Sequence, residues 1–235
     1  MVAFKQGDTV RAREWAEELA VRAEETVNDE MLARALNSLG IVLNGEGRFG
    51  EARSAWERSL AIRKRLGDPV RLRDSLHNLG LASIGEGAYE AAVEELTSSL
   101  EVSNAIGDEL GASNDQGDRA FALIRLGRWR EARADASESL VVAGRSGWRE
   151  NVAYCLVALA AVAVAGNEGE PAARFLGQAN RLAEEVNLEF LQYAEQIRVE
   201  THEALQSRLP GNQLDSLLAE GRTWSVDEAV AAAVS

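Results

Sequence analysis

Residues 33–69 read ARALNSLGIVLNGEGRFGEARSAWERSLAIRKRLGDP, and this stretch decides the fold. Together with Leu32 just before it, its leucines recur at steps of three and four, which places them on one face of a helix: Leu36, Leu39 and Leu43. Gly47 interrupts the pattern in the middle, and Gly67 ends it. Because glycine accepts the left-handed backbone that terminates helices, we interpret the stretch as two antiparallel helices of about 16 to 18 residues joined by a tight turn.

The pattern recurs at a spacing of 40 residues, with no insertion or deletion across four units. In three units the central glycine is followed after one residue by an aromatic: Gly47 and Phe49, Gly87 and Tyr89, Gly127 and Trp129. The units end at Gly67, Gly107, Gly147 and Asn187. One helix pair cannot cover its own apolar face, whereas stacked pairs can. The sequence therefore predicts an all-α fold, a right-handed superhelical solenoid of antiparallel helix pairs.

Small residues inside the helices predict close crossings. Gly40 and Gly80 lie within the first helix of their pairs, where glycine costs about 1 kcal/mol relative to alanine. We expect the second helix to cross closely there, with Ala52 and Ala92 as the matching small residues. The large aromatics that follow the repeat pattern are expected in the core: Trp56 and Trp129.

The repeat register defines the expected domain organisation. We assign a helical repeat domain to residues 1–208 and a C-terminal capping segment to 209–235. The domain is divided as follows: a partial repeat 1–28, full repeats 29–68, 69–108, 109–148 and 149–187, and a terminal helix 188–208. Ser225 to Glu228 read SVDE, a capping-box pattern that predicts a short helix after it. Because the register opens on the second helix of a pair, we expect the polypeptide to be cut from a longer protein or to have lost an upstream half.

Charge argues against several classes of partner. The chain has 38 acidic and 25 basic side chains, a formal net charge of −13. Such a surface repels phosphate backbones and anionic lipid, so we expect no nucleic acid and no membrane as direct partners. The sequence contains no apolar segment of membrane-spanning length and no signal-peptide pattern, and we expect the protein to be cytoplasmic.

No catalytic constellation is apparent, so we predict that the chain is not an enzyme and needs no cofactor or metal. The single cysteine, Cys155, lies in an apolar helical run and is interpreted as a buried apolar residue. The two histidines, His77 and His202, belong to no metal-binding motif, although His202 has glutamates nearby. A basic cluster (Arg63, Lys64, Arg65, Arg71 and Arg73) straddles the helix end at Gly67. Either the helix dipole accounts for it, or it is a site for an acidic partner.

The repeat pattern resembles the tetratricopeptide consensus, lengthened by about six residues per repeat over the usual 34. The residues that carry this resemblance are Leu39, Gly40, Gly47, Phe49, Ala52, Trp56 and Leu60. Serine at three equivalent positions departs from the alanine of that consensus: Ser59, Ser99 and Ser139.

The stretch 33–69 is also similar to the helical C-terminal region of bacterial signal-transduction ATPases of the LuxR- and MalT-like type. The segment LLAEGRTWSVDEAVAAAVS, at 217–235, resembles the end of that region. In that family a nucleotide-binding module and a DNA-binding module accompany the repeats, which sense an inducer or a partner. This sequence has neither a phosphate-binding G-x-x-x-x-G-K-[ST] motif nor a basic recognition helix, so any such activity must lie outside it.

The resemblance places a binding groove on the first helix of each pair. The positions that do not face the packing seam are Arg34, Asn37, Ile41 and Asn44; Asp74, His77, Leu81 and Ile84; Asn114, Gly117, Phe121 and Ile124; and Tyr154, Val157, Ala161 and Val164. This groove would be polar at one end and apolar at the other, which suits an extended or helical peptide. The alternative is that the polar members are merely solvated.

Two functions follow as hypotheses. The first is a protein- or ligand-binding scaffold, the sensor or interaction region of a bacterial transcriptional regulator, with a protein, a peptide or a small-molecule inducer as its partner. The second is a structural module that self-associates, for instance as a homodimer, or that holds an ATPase inactive without a diffusible ligand.

Overall fold

The computed structural model describes residues 6–234, and in this range the chain forms twelve α-helices and no strand. The helices are α1 (Gln6–Glu25), α2 (Asp29–Gly45), α3 (Phe49–Leu66), α4 (Pro69–Glu86), α5 (Tyr89–Ile106), α6 (Glu109–Arg125), α7 (Trp129–Ser146), α8 (Arg149–Ala165), α9 (Gly169–Glu185), α10 (Gln192–Arg208), α11 (Gly211–Thr223) and α12 (Val226–Val234). Neighbouring helices pack as stacked pairs, which confirms the predicted all-α repeat fold. Within the described range, no helix combines the length and apolar character needed to cross a membrane.

The chain divides into two compact units, Met1–Gly107 and Asp108–Ser235. This division falls one residue before the predicted repeat boundary between 108 and 109. The first unit contains α1 to α5, each packed against the next. The second contains the pairs α6 with α7 and α8 with α9, and three further helices that pack on them.

Turns with a left-handed backbone occur every 20 residues, since each 40-residue unit has one turn in its middle and one at its end. Within residues 6–234, positive φ is found at Val27, Gly47, Gly67, Gly87, Gly107, Gly127, Gly147, Asn167 and Asn187. Glycine meets this requirement without a steric cost, and asparagine tolerates it. Val27 is the exception, because a β-branched residue at φ 52° is strained.

The two helix glycines of the first unit lie under large side chains rather than against alanines. A Cβ at Gly40 would meet the Trp56 indole, and one at Gly80 would come within 2.5 Å of Leu96 Cγ. The second helix of each pair therefore lies close to these glycines, with Trp56 and Leu96 as the nearest side chains, while Ala52 and Ala92 are fully buried on the same helices. Trp56 is 1% exposed and donates from Nε1 to the carbonyl oxygen of Asn37 at 3.2 Å, so its place in the core is confirmed.

The serines that replace consensus alanines tie the two helices of a pair together. Each hydroxyl donates to a carbonyl oxygen 26 residues earlier, on the first helix of its own pair: Ser59 to Ala33 at 2.9 Å, Ser99 to Arg73 at 3.2 Å and Ser139 to Ser113 at 2.7 Å. All three serines are fully buried. Burial without a partner would be costly, and the recurring bond removes that cost.

The C-terminal tail folds onto the second helices of the second unit. The backbones of α9 and α11 approach closely at two glycines, since a Cβ at Gly177 would meet the carbonyl of Leu218 and one at Gly221 that of Arg174. Helix α12 packs on α7 instead, with Val226 against Gly144. The capping box before α12 is confirmed: Ser225 Oγ accepts from the Glu228 amide at 3.2 Å, while Glu228 Oε2 accepts from the Ser225 amide at 2.7 Å.

Candidate functional site

We call the predicted groove positions on α2, α4, α6 and α8 the inner face, and describe it unit by unit. In the first unit it is open mainly on α2. Arg34 and Ile41 are exposed, Ile41 to 47%, while Asn37 and Asn44 are half-buried. On α4 it is more covered, with His77 and Ile84 buried and Asp74 and Leu81 half-buried.

The two asparagines of α2 have different surroundings. Asn37 Oδ1 accepts a hydrogen bond from Asn78 Nδ2 at 3.0 Å, so this side chain joins α2 to α4. Asn44 Oδ1 is shielded from solvent and has no hydrogen-bond partner among the described residues. Burying an unsatisfied carbonyl oxygen is unfavourable, so this position costs the fold some stability.

The basic cluster near Gly67 is largely used within the chain. Arg63 is 3% exposed and donates to the carbonyl of Arg71 at 2.6 Å and to Ser75 Oγ at 2.8 Å; burial lowers the pKa of its guanidinium. The others pair with carboxylates: Arg65 with Asp29 at 2.9 Å, and both Arg71 and Arg73 with Asp74 at 3.8 and 3.5 Å. Among these residues only Lys64 is exposed with no ion pair to another described residue, which favours the structural explanation of the cluster.

In the second unit, α10 covers much of the inner face. Phe121 is only 1% exposed and Val157 is fully buried. Phe121 lies edge-on to Tyr154 and Tyr193, with ring centroids 6.1 and 5.2 Å apart, and Tyr154 is edge-on to Phe190 at 5.1 Å. The structure thus differs from the open apolar groove that we expected at Phe121. An apolar helix face needs a cover, and the terminal helix of the same chain supplies it.

Two hydroxyls anchor this cover. The Tyr154 hydroxyl accepts from the Leu191 amide at 2.9 Å, and the Tyr193 hydroxyl donates to Asp118 Oδ1 at 2.5 Å. Burial raises the pKa of Tyr154 to about 12 and raises that of Tyr193 well above its ordinary value, because the phenolate would lose its hydration. These contacts hold the start of α10 between α6 and α8.

The other inner-face residues of this unit are placed as follows. Asn114 is half-buried, and Gly117 is buried where an added Cβ would lie 3.2 Å from Ser139 Oγ. Ile124, Ala161 and Val164 are 7 to 9% exposed and converge at the far end of α10. There α10 leaves the inner face partly open.

That opening is a cleft of about 490 Å³, which we call the inner cleft. Its walls are formed by the ends of α6 and α8, the start of α7 and the second half of α10. Its lining is mainly apolar: Ile124, Gly127, Trp129, Ala161, Val164, Ala165, Ile197 and Ala204, with Arg125, Glu200, Thr201 and Arg208 as polar members.

The polar members bring two guanidinium groups to the inner cleft, those of Arg125 and Arg208. Arg125 Nη1 donates to Glu200 Oε2 at 2.6 Å, whereas its Nη2 is buried without a hydrogen-bond partner in the described chain. Arg208 donates to the carbonyl oxygen of Val164, at the end of α8. The arrangement suits a ligand that combines an aliphatic group with an oxygen acceptor.

Trp129 was expected in the core, and that expectation is wrong. It is 40% exposed at the edge of the inner cleft. It occupies the first position of α7. Its equivalent at the first position of α3, Phe49, packs over Gly85 instead: a Cβ added to Gly85 would lie 2.5 Å from Phe49 Cε1. Sequence reasoning also missed the cleft wall on α10, since no repeat position predicts where a terminal helix will lie.

The chemistry-bearing residues are placed as structural ones. Cys155 is fully buried, its Sγ lies 3.1 Å from Ser139 Oγ, and burial raises its thiol pKa to about 12. A thiol protonated at neutral pH is a poor nucleophile. Within residues 6–234, no group of three or more His, Cys, Asp or Glu side chains is placed to hold a metal ion.

Comparison with known proteins agrees with this architecture. The tetratricopeptide repeat family model matches residues 31–105. The crystal structure of BtubC (BKLC) from P. vanneervenii superposes with a TM-score of 0.64 at 17% identity, covering 96% of this chain and 90% of that one. At this identity the likeness concerns the fold alone. Among curated proteins, none matches this sequence.

Proposed function

We propose that this chain is a non-catalytic scaffold that binds a protein or peptide, and that the inner cleft receives an aliphatic side chain of that partner. The observation that carries this proposal is the convergence of Ile124, Ala161 and Val164 with α10 around a space of about 490 Å³. Apolar concavities with a few directed polar groups are the usual form of a binding site.

The polar groups define how a peptide would lie. A backbone carbonyl or a carboxylate of the partner would lie beside the guanidinium groups of Arg125 and Arg208, which line the cleft. The exposed face of Trp129 would pack on the adjoining residue of the peptide.

In the first unit, we propose that a partner contacts the open part of the inner face on α2. Ile41 offers an exposed aliphatic side chain there, and the half-buried Asn37 and Asn44 border it. Arg34 lies at the edge of this surface. Replacing Ile41 with glutamate is expected to weaken partner binding without affecting the inner cleft.

Tetratricopeptide repeats generally mediate protein–protein interactions, which supports the general class of function. We further propose that the chain is the sensor or interaction region of a cytoplasmic bacterial transcriptional regulator, with ATPase and DNA-binding modules elsewhere. The support is the sequence resemblance of 33–69 and 217–235 to such regions. A small-molecule inducer with the same aliphatic and acceptor groups would use the same cleft.

The binding proposal is tested by selecting peptides from a displayed random library against the purified chain. Enriched peptides are then titrated calorimetrically against the wild type and against Ala204→Trp, whose indole would fill the inner cleft. Affinity is expected to fall at least about tenfold, equivalent to roughly 1.4 kcal/mol.

Ala219→Trp is the matched control, because Ala219 is exposed on α11 and does not line the cleft. It is expected to bind like the wild type. Failure to enrich any peptide, or equal affinity for Ala204→Trp and the wild type, would contradict binding in the inner cleft.

The regulator proposal needs a cellular readout. Introducing Ala204→Trp into the source bacterium is expected to change the transcript levels of a defined set of genes, while Ala219→Trp leaves them unchanged. Unaltered transcripts in a strain whose protein has lost peptide binding would contradict the role in transcription.

A further inference from the structure

The charge at the inner cleft is opposite in sign to that of the whole chain. The cleft lining contains two guanidinium groups, those of Arg125 and Arg208, and one carboxylate, that of Glu200. Arg130, next to Trp129 at the start of α7, is exposed and has no ion pair to another described residue. The chain as a whole carries a formal net charge of −13. A local excess of positive charge on an acidic protein attracts anionic groups to that place.

The apolar walls of the cleft are more covered than its charged groups. Thr201 is 4% exposed, and its hydroxyl donates to the carbonyl oxygen of Ile197 on the same helix at 2.6 Å, so it offers the cleft little beyond its methyl group. The Glu200 side chain is 47% exposed, and Arg208 is also exposed. An aliphatic side chain that fills the cleft would therefore bring the neighbouring residue of its own chain to the charged groups.

An ion pair within the chain marks a position for an anion. Glu200 Oε2 accepts from Arg125 Nη1 at 2.6 Å. The Arg125 side chain is only 20% exposed and belongs to the cleft wall, whereas nearly half of the Glu200 side chain faces solvent. An ion pair with one well-exposed member contributes little to stability, so the Glu200 carboxylate can turn into solvent at small cost. Arg125 is then able to receive another carboxylate.

Another ion pair of α6 is built differently. Arg119 holds Asp135 through both Nε and Nη2, each at 2.7 Å, and the two side chains are 18% and 8% exposed. Separating such a covered pair is expensive, because each charge would lose its partner without regaining full hydration. We therefore interpret the pair of Arg119 with Asp135 as structural, and the single bond between Arg125 and Glu200 as replaceable.

Arg208 supplies a second cation at the cleft. It donates to the carbonyl oxygen of Val164, which holds it at the end of α8. Because Arg208 is exposed, the rest of its planar guanidinium keeps donors for a further acceptor. The donor fork of arginine matches the two oxygens of a carboxylate. Guanidinium groups beside an apolar cavity suit a carboxylate that adjoins an aliphatic group.

We propose, on the basis of the peptide-binding function, that the inner cleft selects an acidic segment of its partner. In this segment an aspartate or glutamate adjoins the aliphatic residue that fills the cleft, and its carboxylate replaces Glu200 beside Arg125. Glu200 is thus an internal competitor for the partner. A neutral aliphatic segment fills the same space without the ionic contact, so it binds more weakly.

The test begins with peptides selected from a displayed random library against the purified chain. Those that bind the wild type and not Ala204→Trp are kept, since this substitution fills the inner cleft. We expect the retained peptides to share an aspartate or glutamate next to leucine, isoleucine or valine. The overall charge of the chain works against this result, so an acidic consensus reports the local charge of the cleft.

A retained peptide is then titrated calorimetrically beside its neutral counterpart, in which asparagine or glutamine replaces the acid. The counterpart should bind the wild type at least about tenfold more weakly. Glu200→Gln should bind the acidic peptide about two- to fivefold more tightly than the wild type does, with the counterpart unchanged. Glu203→Gln is the matched control, because it removes the same charge from an exposed position of α10 that does not line the cleft. It should bind both peptides like the wild type.

The outcomes separate the two proposals. A consensus without a carboxylate, equal affinities for the acidic peptide and its counterpart, or equal effects of Glu200→Gln and Glu203→Gln would overturn the selection of acidic partners and leave binding in the cleft intact. Recovery of no peptide that distinguishes the wild type from Ala204→Trp would overturn both. Circular dichroism should show the same helicity for all variants.

Discussion

The hydroxyl of Ser139 donates to the carbonyl oxygen of Ser113 at 2.7 Å, and the hydroxyl of Ser113 donates back to the carbonyl oxygen of Ser139 at 3.1 Å. The two residues face each other on α7 and α6, and both are buried. Asn151 Nδ2 reaches both hydroxyls, at 3.2 Å from Ser113 and 3.1 Å from Ser139. The polar cluster thus joins two adjacent repeats, whereas the hydroxyl of the equivalent Ser59 donates to Ala33 within its own pair.

This relationship predicts unequal costs for the same substitution. Ser139→Ala should lower the free energy of unfolding by about 1–3 kcal/mol, because it leaves the carbonyl of Ser113 and the amide of Asn151 short of partners. Ser59→Ala loses one bond and should cost about 1 kcal/mol. Urea unfolding followed by circular dichroism measures both. Ser54→Ala, at an exposed position of α3, is the control and should change stability little; a loss for Ser54→Ala as large as for Ser139→Ala would refute the explanation.

The strained turn at Val27 predicts a stabilising substitution. Val27→Gly should raise the free energy of unfolding by up to about 1 kcal/mol, because relief of the left-handed backbone strain outweighs the added freedom of the unfolded chain. Val27 is 87% exposed, so little packing is lost. The reverse change 40 residues later, Gly67→Val at φ 69°, should destabilise the protein. Thermal unfolding of the two variants should therefore shift in opposite directions, and shifts of the same sign would contradict the strain argument.

The glycine contacts between α9 and α11 predict a severe effect from one methyl group. Gly221→Ala places a Cβ against the carbonyl of Arg174, and neither backbone can yield without separating the helices. We expect a loss of at least about 3 kcal/mol, at the upper end of overpacking costs. Gly211→Ala is the matched control, since a Cβ there has no neighbour within 4 Å. Urea unfolding should leave Gly211→Ala close to the wild type, and a normal Gly221→Ala would show that α11 does not pack as described.

The buried phenols predict alkaline lability. The folded pKa of Tyr154, about 12, lies above the value near 10 of an unfolded tyrosine. The stability that this shift contributes is complete below pH 10 and is lost as the pH rises from about 10 to about 12, a change of about 2–3 kcal/mol for Tyr154. Urea midpoints measured from pH 8 to 11.5 should fall accordingly, together with late tyrosinate absorbance. The double variant Tyr154→Phe, Tyr193→Phe should show a smaller fall, and an identical fall would exclude these phenols as its cause.

The fold was predictable because its signals are local. Steps of three and four between leucines mark helices, and Gly67, Gly107 and Gly147 end them. The capping box of Ser225 with Glu228 could also be predicted from the sequence. These features depend on backbone preference and side-chain spacing within a few residues. Because they recur every 40 residues, the helix boundaries could be assigned from several equivalent positions.

The candidate site was only partly predictable. Ile124, Ala161 and Val164 were assigned to the inner face and do line one cleft. Phe121 was assigned in the same way but lies beneath Tyr193 of α10. Trp129 matched a core position of the repeat but lies at the cleft edge. In the first unit, Gly85 leaves space for Phe49, the equivalent of Trp129. In the second unit no such space buries the Trp129 indole.

The sequence by itself determined the helices, their turns and their pairing, because each is decided by interactions between residues near in the chain or one repeat away. Only the tertiary structure decided where α10 lies, which inner-face residues it covers and how the cleft beside Arg125 is closed. The physical reason is that a terminal helix with apolar residues can lower its free energy on any complementary surface. Which surface it uses is decided by contacts such as that between Tyr193 and Asp118, which are 75 positions apart. Such contacts do not follow the repeat period, so the sequence pattern does not predict them.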